Sequence, residues 1–239
     1  MSTIRILHTN DFHGRLNAER FEILRQIRPN HDLYFDTGDL IKTGNLGIPL
    51  KPDPAWQFLS QLECTASVSG NRESHVSTSA LNAKLAGLHH PIICANLFNR
   101  DGERPFPGFM ETVVRGVRVG ILGVMVPMVT ERMASRAVSQ YLWSQPIPEA
   151  VKVSAELRTR NDLVIALTHI GFTQDKKLAE STTNIDLIFG GHSHTVLESP
   201  VKVADTWIAQ GGSHGRFFGS YELDVEKGEL TGGLFPLIS

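Results

Sequence analysis

The chain has little cysteine and no long hydrophobic run. Its 239 residues include two cysteines, Cys64 and Cys94, both in apolar contexts, so we expect buried thiols in a reducing compartment and no disulfide framework. The longest apolar stretch, Val119–Val129, is too short to span a bilayer. The first residues contain no apolar segment followed by a small-residue cleavage site. We therefore expect a cytoplasmic protein that does not contact a membrane.

The chain also lacks an excess of charge of one sign. Lysine and arginine number 23 and aspartate and glutamate 25, which gives a formal net charge of −2 and argues against a stable nucleic-acid partner. Glycine (21) and proline (12) are near average, which excludes collagen and a disordered chain. A chain of this length buries a large core without disulfides, and no linker divides it, so we expect one domain over residues 1–239. Histidine, with ten residues, is the unusual component.

Apolar runs alternate with amphipathic segments along most of the chain. Strands are predicted over Thr3–Thr9, Asp32–Asp36, Ala66–Ser69, Ile92–Ala95, Leu163–Thr168 and Ile185–Phe189, and a hairpin over Glu111–Arg115 and Arg118–Val124. Helices are predicted over Ala18–Arg28, Asp53–Leu62, Val76–Gly87, Pro148–Arg160 and Thr173–Ser181. Strands follow one another from Val201 onward, and Ile41–Pro52 and Met125–Pro146 are predicted to be irregular. This order favours an α/β or mixed layered fold.

Polar side chains of metal-ligand type follow five of the predicted strands. Because ligands of α/β sheets lie beyond the carboxyl ends of the strands, these side chains are expected to gather at one edge of the sheet. The set comprises Asp11, His13, Asp39, Asn71, His169, His192 and His194. Each residue alone fits an ordinary turn or cap, but the shared topological position makes that reading improbable for the whole set.

The ligand types and their number indicate two transition-metal ions. Asp11 and His13 are two residues apart, so on an extended chain both side chains point the same way, and His192 and His194 repeat the spacing within a glycine turn. Mixed oxygen and imidazole donors suit Mn, Fe or Zn. Seven ligands exceed the needs of one tetrahedral ion. A carboxylate bridges two ions readily, and Asp39 is the centrally placed candidate.

These motifs resemble the 5′-nucleotidase branch of the calcineurin-like metallophosphoesterases. The resemblance rests on the segment from Leu7 to Gly14 and on Gly38-Asp39, Gly70-Asn71, Thr168-His169 and Gly190–His194, and it spans roughly residues 3 to 225. It implies a four-layer αββα sandwich with a dinuclear centre that hydrolyses a phosphate ester by a metal-activated hydroxide. In this reading Asp11, His13 and His194 hold the first metal, Asp39 bridges, and Asn71, His169 and His192 hold the second.

Two residues depart from the pattern of that family. Its third motif usually reads Gly-Asn-His-Glu, whereas this chain has Arg72 in place of the histidine, and His75 where nucleotidases carry the aspartate that orients it. Arginine keeps its proton near neutral pH and cannot act as an acid, although its planar fork of donors can clamp phosphate oxygens. Arg72 and His75 are therefore the catalytic candidates, with His75 as a possible replacement acid. The readings left open are an active hydrolase, an enzyme for good leaving groups, and a catalytically weakened metal- or phosphate-binding protein.

The resemblance does not determine the substrate class. Nucleotidases of that family carry a C-terminal domain that stacks on the base, and the present sequence is not expected to include one. A phosphomonoester such as a nucleotide, a cyclic nucleotide or another small diester remains open as substrate. Asn96, after a predicted strand, and His214, in the glycine-rich segment Gly211–Gly215, are the candidates for substrate contact.

Overall fold

The computed structural model describes residues 3–237. Its strands are β1 (Thr3–Thr9), β2 (Leu33–Asp36), β3 (Ala66–Val68), β4 (Ile92–Ile93), β5 (Leu97–Asn99), β6 (Phe109–Val114), β7 (Val117–Met125), β8 (Tyr141–Trp143), β9 (Leu163–His169), β10 (Leu187–Gly190), β11 (Val201–Val203), β12 (Thr206–Gln210), β13 (Phe217–Asp224) and β14 (Glu229–Pro236). Its α-helices are α1 (Ala18–Ile27), α2 (Pro54–Gln61), α3 (Thr78–Lys84), α4 (Pro146–Arg158) and α5 (Phe172–Ser181). The predicted alternation of strands and helices is therefore confirmed.

Several element boundaries differ from the sequence-based prediction, and two of these differences have a clear local reason. Helix α4 begins at Pro146 instead of Pro148, because a first-turn proline loses no helical hydrogen bond. Helix α3 begins after Ser77, whose N–H is held by His75 Nδ1 in a turn. The segment predicted to be irregular, Met125–Pro146, contains β8, which pairs with β5 as a separate antiparallel ribbon.

The larger strands form two six-stranded sheets. Their orders are β14-β13-β1-β2-β3-β4 and β11-β12-β10-β9-β7-β6. Within the first sheet β1 to β4 run parallel, and within the second β7, β9, β10 and β12 run parallel. Parallel strands bring their carboxyl ends to one edge of each sheet.

The two sheets pack face to face between two layers of helices. Side chains such as Ile6, Phe35 and Phe189 fill the layer between the sheets. On the outer face of the first sheet, Leu24 of α1 and Trp56 of α2 join a second apolar cluster, and Leu157 of α4 joins a third cluster on the outer face of the second sheet. The predicted four-layer αββα sandwich is confirmed.

Contacts between the two sheets bring their carboxyl edges together. Thr37, which follows β2, donates its hydroxyl to the carbonyl of Gly190 at the end of β10 at 2.9 Å. The carbonyl of Thr37 accepts a hydrogen bond from Nδ1 of His169, the last residue of β9, at 2.7 Å. The strand ends of both sheets therefore contribute side chains to one common site.

Among residues 3–237, no helix has both the length and the apolar composition needed to cross a bilayer.

Candidate metal centre

The predicted ligands lie on unusual backbone. Nine non-glycine residues within residues 3–237 have a positive φ. Five are predicted metal ligands and a sixth is His214: Asp11 (51°), His13 (51°), Asp39 (54°), His192 (76°), His194 (56°) and His214 (61°). Left-handed backbone at a residue with a side chain costs about 1–3 kcal/mol and persists only where surrounding contacts fix it. Because strained backbone of this kind clusters at active sites and ligand clamps, these strand-end loops are the candidate site.

Asp11, His13 and His194 form one group, named here the Asp11 group. Nε2 of His13 lies 2.9 Å from Nε2 of His194, and Oδ1 of Asp11 lies 3.3 Å from Nε2 of His194 and 3.6 Å from Nε2 of His13. Oδ2 of Asp11 accepts hydrogen bonds from the Asn10 side chain and the His192 N–H. Oδ1 is buried and makes no hydrogen bond of normal geometry. One carboxylate oxygen and two ring nitrogens therefore face a common point.

Asn71, His169 and His192 form a second group, named the Asn71 group. Because Nδ1 of His169 donates to the Thr37 carbonyl, Nε2 carries the lone pair in the neutral ring. That Nε2 lies 3.2 Å from Oδ1 of Asn71, which also lies 3.0 Å from Nδ1 of His192. A lone pair opposite an amide oxygen is repulsive unless a proton or a metal ion lies between them.

Asp39 lies between the two groups. Its Oδ1 is 3.4 Å from Nε2 of His169, and its Oδ2 is 3.8 Å from Nδ1 of His13. The backbone N–H of Arg72 donates to Oδ1 at 2.8 Å and holds the carboxylate in this orientation. Oδ2 also accepts the Asn71 amide at 3.3 Å, so the carboxylate lies within reach of residues of both groups.

The electrostatics of the site favour a cation. Burial, together with the charge of Arg72, lowers the pKa of His13 to about 4, so the ring is neutral and able to ligate at pH 7. Burial would also lower the pKa of His169, but the carboxylates of Asp39 and Asp11 outweigh it and raise that pKa. Burial would raise the pKa of Asp11, yet His194, His169 and Asn10 hold it below its ordinary value. The Asp11 carboxylate thus stays charged and attracts positive charge.

Glu73 ties two of the ligand loops together, a role that the sequence analysis did not assign. This buried carboxylate accepts the backbone N–H groups of Asp39 at 2.8 Å, Gly70 at 2.9 Å and Ile41 at 3.2 Å. Burial, and next the charge of Asp39, raise its pKa. The only signal for this role was its position directly after Asn71 and Arg72.

Lys84 is a second residue that the sequence analysis missed. It is fully buried at the end of α3, and the three N–H donors of its ammonium are shared among four backbone carbonyls at 2.5–3.2 Å. These carbonyls belong to Gly44, Asn45, Arg72 and Ser74. Burial lowers the pKa of this ammonium to about 8. Lys84 thereby joins the loop after β2 to the loop after β3, and its spacing from the buried Leu81 on α3 was the available sequence signal.

Arg72 lies at the rim of the site. Its Nε is 3.8 Å from Oδ2 of Asp39, one terminal nitrogen donates to the carbonyl of Lys42 at 2.8 Å, and 27% of its side chain is exposed. Asn45 also lies at the rim of the site, where its Oδ1 accepts a hydrogen bond from the Asn71 amide at 2.9 Å. The guanidinium is therefore accessible from solvent and adjacent to the metal-ligand cluster.

The structure does not support His75 as a replacement acid. Its ring is largely buried, Nδ1 accepts the N–H of Ser77 at 3.0 Å, and the backbone of Leu46 forms a further hydrogen bond with the ring. Burial, with the nearby Lys84 ammonium, lowers its pKa. Both nitrogens are thus engaged within the fold. The turn that precedes α3 holds the ring in this position.

Asn96 is also placed differently from the sequence-based expectation. Its amide is fully buried and donates to the carbonyls of Met125 and Ser144, while its Oδ1 accepts the N–H of Met125. These bonds hold the end of β7 and the segment after β8. The side chain is committed to backbone groups, so the expected substrate contact has no counterpart in the structure.

His214, by contrast, lies beside the Asp11 group. Its ring centroid is 4.8 Å from that of His13 and 5.8 Å from that of His194. The described residues thus bring together all seven predicted metal ligands, with Arg72 and His214 at their rim. The carboxylate and imidazole donors, with the buried Oδ1 of Asp11 that makes no hydrogen bond of normal geometry, fit a divalent transition-metal ion.

Comparison with known proteins identifies the family. The model of the calcineurin-like phosphoesterase family matches residues 4–196. The chain belongs to this family. The predicted resemblance is confirmed, and the metal dependence of the family agrees with the cluster of ligands at the strand ends.

Curated relatives and solved structures extend this likeness over nearly the whole chain. The "uncharacterized metallophosphoesterase YunD" of Bacillus subtilis is 26% identical over 94% of this chain and 50% of its own length. A 5′-nucleotidase of Vibrio cholerae is 27% identical over 98% of this chain and 51% of its own length. The chain thus spans about half the length of these relatives. A 5′-nucleotidase precursor from Thermus thermophilus shares the fold, with a TM-score of 0.79 at 23% identity over 98% of this chain and 54% of that one.

Proposed function

We propose that the chain hydrolyses a small phosphate ester with the help of two divalent metal ions. The observation that carries the proposal is the pair of ligand groups on either side of Asp39. In one group a buried oxygen of Asp11 makes no hydrogen bond of normal geometry, and in the other two imidazole nitrogens lie against the amide oxygen of Asn71. Relatives named 5′-nucleotidase and apyrase support a small phosphate ester as the substrate class. The net charge of −2 gives no support to a nucleic-acid partner.

Each ligand group would hold one ion. Asp11, His13 and His194 would bind the first, Asn71, His169 and His192 the second, and Asp39 would contact both. Mn, Fe and Zn suit this mixture of carboxylate, amide and imidazole donors. Such ions, when bound, hold a phosphate, neutralise its charge and lower the pKa of a water molecule.

The chain's own residues include a group that can hold the phosphate, but neither catalytic candidate can donate a proton to the leaving oxygen. Arg72 presents a guanidinium beside Asp39, where its donors would orient the phosphate oxygens and stabilise the negative charge that grows on them. Arginine retains its proton, so Arg72 cannot donate one to the leaving oxygen. With His75 bound within the fold, neither of the two catalytic candidates supplies that proton. We therefore propose a hydrolase that favours substrates with good leaving groups.

The dependence of turnover on the leaving group tests this proposal. We expect the Mn²⁺- or Zn²⁺-loaded protein to cleave p-nitrophenyl phosphate far faster than an alkyl phosphate, because the aryl oxygen leaves without a proton. General acid catalysis contributes about 10²–10⁴-fold, so Arg72→His is expected to raise kcat for the alkyl ester by at least about tenfold. EDTA is expected to abolish both activities.

Arg132→His is the matched control, because Arg132 is exposed and belongs to the loop before β8. Equal rates for aryl and alkyl esters would contradict the preference for good leaving groups. Failure to cleave any phosphate mono- or diester, with Mn, Zn, Co or Mg present, would overturn the hydrolase itself. That second result would favour the alternative, a metal- or phosphate-binding protein without turnover, which Arg72 and the internal bonds of His75 also suggest.

A further inference from the structure

His214 contributes an imidazole beside the cluster that neither ligand group uses. One ligand nitrogen from each of His13, His194 and His214 can be chosen so that all three lie within 4.8 Å of one another. The closest ring to His214 is that of His13, at 4.8 Å between centroids. Three imidazoles therefore meet beside Asp11, whose buried Oδ1 lies 3.3 Å from Nε2 of His194 and makes no hydrogen bond of normal geometry.

The turn that carries His214 is fixed against the Asp11 loop. The Asn10 side chain accepts the N–H of Gly211 at 2.9 Å and donates to the carbonyl of Gly212 at 2.7 Å. The N–H of His214 itself donates to the Asp11 carbonyl at 2.7 Å. The same Asn10 amide donates to Oδ2 of Asp11, so a single side chain positions both Asp11 and the His214 turn.

The ring of His214 is also oriented for ligation. Nδ1 lies 2.8 Å from the hydroxyl oxygen of Ser213, which leaves Nε2 as the nitrogen available to a ligand. Metal-binding histidines commonly have their second ring nitrogen held by an oxygen in this way. The left-handed backbone of His214, at a φ of 61°, shows that the fold imposes this placement against the preference of the residue.

We propose that His214 is a further ligand of the ion bound by the Asp11 group. This inference rests on the proposed function and concerns the same site. It gives that position three imidazoles with carboxylate oxygens from Asp11 and Asp39, whereas the Asn71 group offers two imidazoles, an amide oxygen and Asp39. Imidazole donors favour Zn²⁺ over Mn²⁺, so the two positions differ in metal preference and the Asp11 position selects Zn²⁺.

Zinc binding to the metal-free protein tests the proposal without recourse to activity. Protein stripped with EDTA is titrated with Zn²⁺ and with Mn²⁺ in competition with a chromophoric chelator, and Co²⁺ absorption reports the ligands at each position. We expect the native protein to bind two equivalents of Zn²⁺. His214→Ala is expected to weaken one of them by about 100-fold or more, since loss of an outer partner alone costs 10–100-fold. The Co²⁺ spectrum of that position is expected to change as well.

Two further variants make the result decisive. His214→Asn loses the ring but keeps a residue that tolerates left-handed backbone, so it separates loss of a ligand from disruption of the turn. His89→Ala removes an exposed histidine elsewhere and is expected to bind Zn²⁺ as the native protein does.

The outcomes distinguish failure of the His214 assignment from failure of the proposed dinuclear centre. Native affinity for both Zn²⁺ equivalents in His214→Ala and His214→Asn would overturn the role of His214 and leave the dinuclear centre standing. If phosphate binding weakened in those variants while Zn²⁺ affinity did not, His214 would be a substrate contact instead. A native protein that bound fewer than two equivalents would overturn the proposed function along with this inference.

Discussion

Asp39→Asn is expected to lower kcat/KM for p-nitrophenyl phosphate by about a thousandfold. Asp39 faces both ligand groups, with Oδ1 3.4 Å from His169 and Oδ2 3.8 Å from His13. An asparagine keeps one oxygen but loses the negative charge that both ions would share. Metal ions contribute several kcal/mol to stabilising charge in such reactions, and each 1.36 kcal/mol corresponds to a factor of ten in rate.

We expect Asp39→Asn to lose activity while the protein stays folded. Asp39 is buried close to the Glu73 carboxylate and raises the pKa of that group, so removing its charge relieves repulsion in the metal-free protein. We expect the metal-free variant to be at least as stable to urea as the native chain. Asp205→Asn changes an exposed carboxylate on the turn between β11 and β12 and is the matched control. A kcat/KM of Asp39→Asn within tenfold of the native value would contradict the bridging role.

Glu73→Ala is expected to lower the free energy of unfolding of the metal-free protein by about 3 kcal/mol or more. The variant removes the acceptor of three backbone N–H groups, those of Asp39, Gly70 and Ile41. A buried donor left without a partner costs about 1–3 kcal/mol, and water entering the new space recovers only part of that cost. Urea denaturation in EDTA measures the effect without a contribution from bound metal.

The control for Glu73 is a glutamate without a structural role in the site. Glu180→Ala, on the exposed face of α5, is expected to change the free energy of unfolding by no more than about 0.5 kcal/mol. A loss below about 1 kcal/mol in Glu73→Ala would contradict the view that this carboxylate joins the loops of Asp39 and Asn71. The metal affinity of Glu73→Ala is expected to fall too, because both loops carry ligands.

The sequence predicted the site through topology more than through local geometry. The parallel strands and their polar ends were enough to gather the seven ligands. The spacing argument for Asp11 and His13 was wrong in detail, because both have a φ of 51° and do not lie on extended chain. His192 and His194 share the same spacing yet join different groups, so the spacing alone did not reveal their partners.

Side chains whose partners lie far along the chain could not be assigned from sequence. Asn96 follows a strand much as Asn71 does, but its amide meets Met125 and Ser144, 29 and 48 residues away. Lys84 looks like the basic last turn of an ordinary helix, and only the folded chain shows it bound to four carbonyls of the site loops. In both cases the deciding contacts are tertiary, and local sequence patterns do not predict them.

Anomalous diffraction from a crystal grown with Mn²⁺ tests the central claim most directly. We expect two anomalous peaks at the strand ends, one among Asp11, His13 and His194 and the other among Asn71, His169 and His192, with Asp39 between them. A map with no peak at this edge, or with a single peak at full occupancy and the second group of side chains turned away, would contradict a two-metal site.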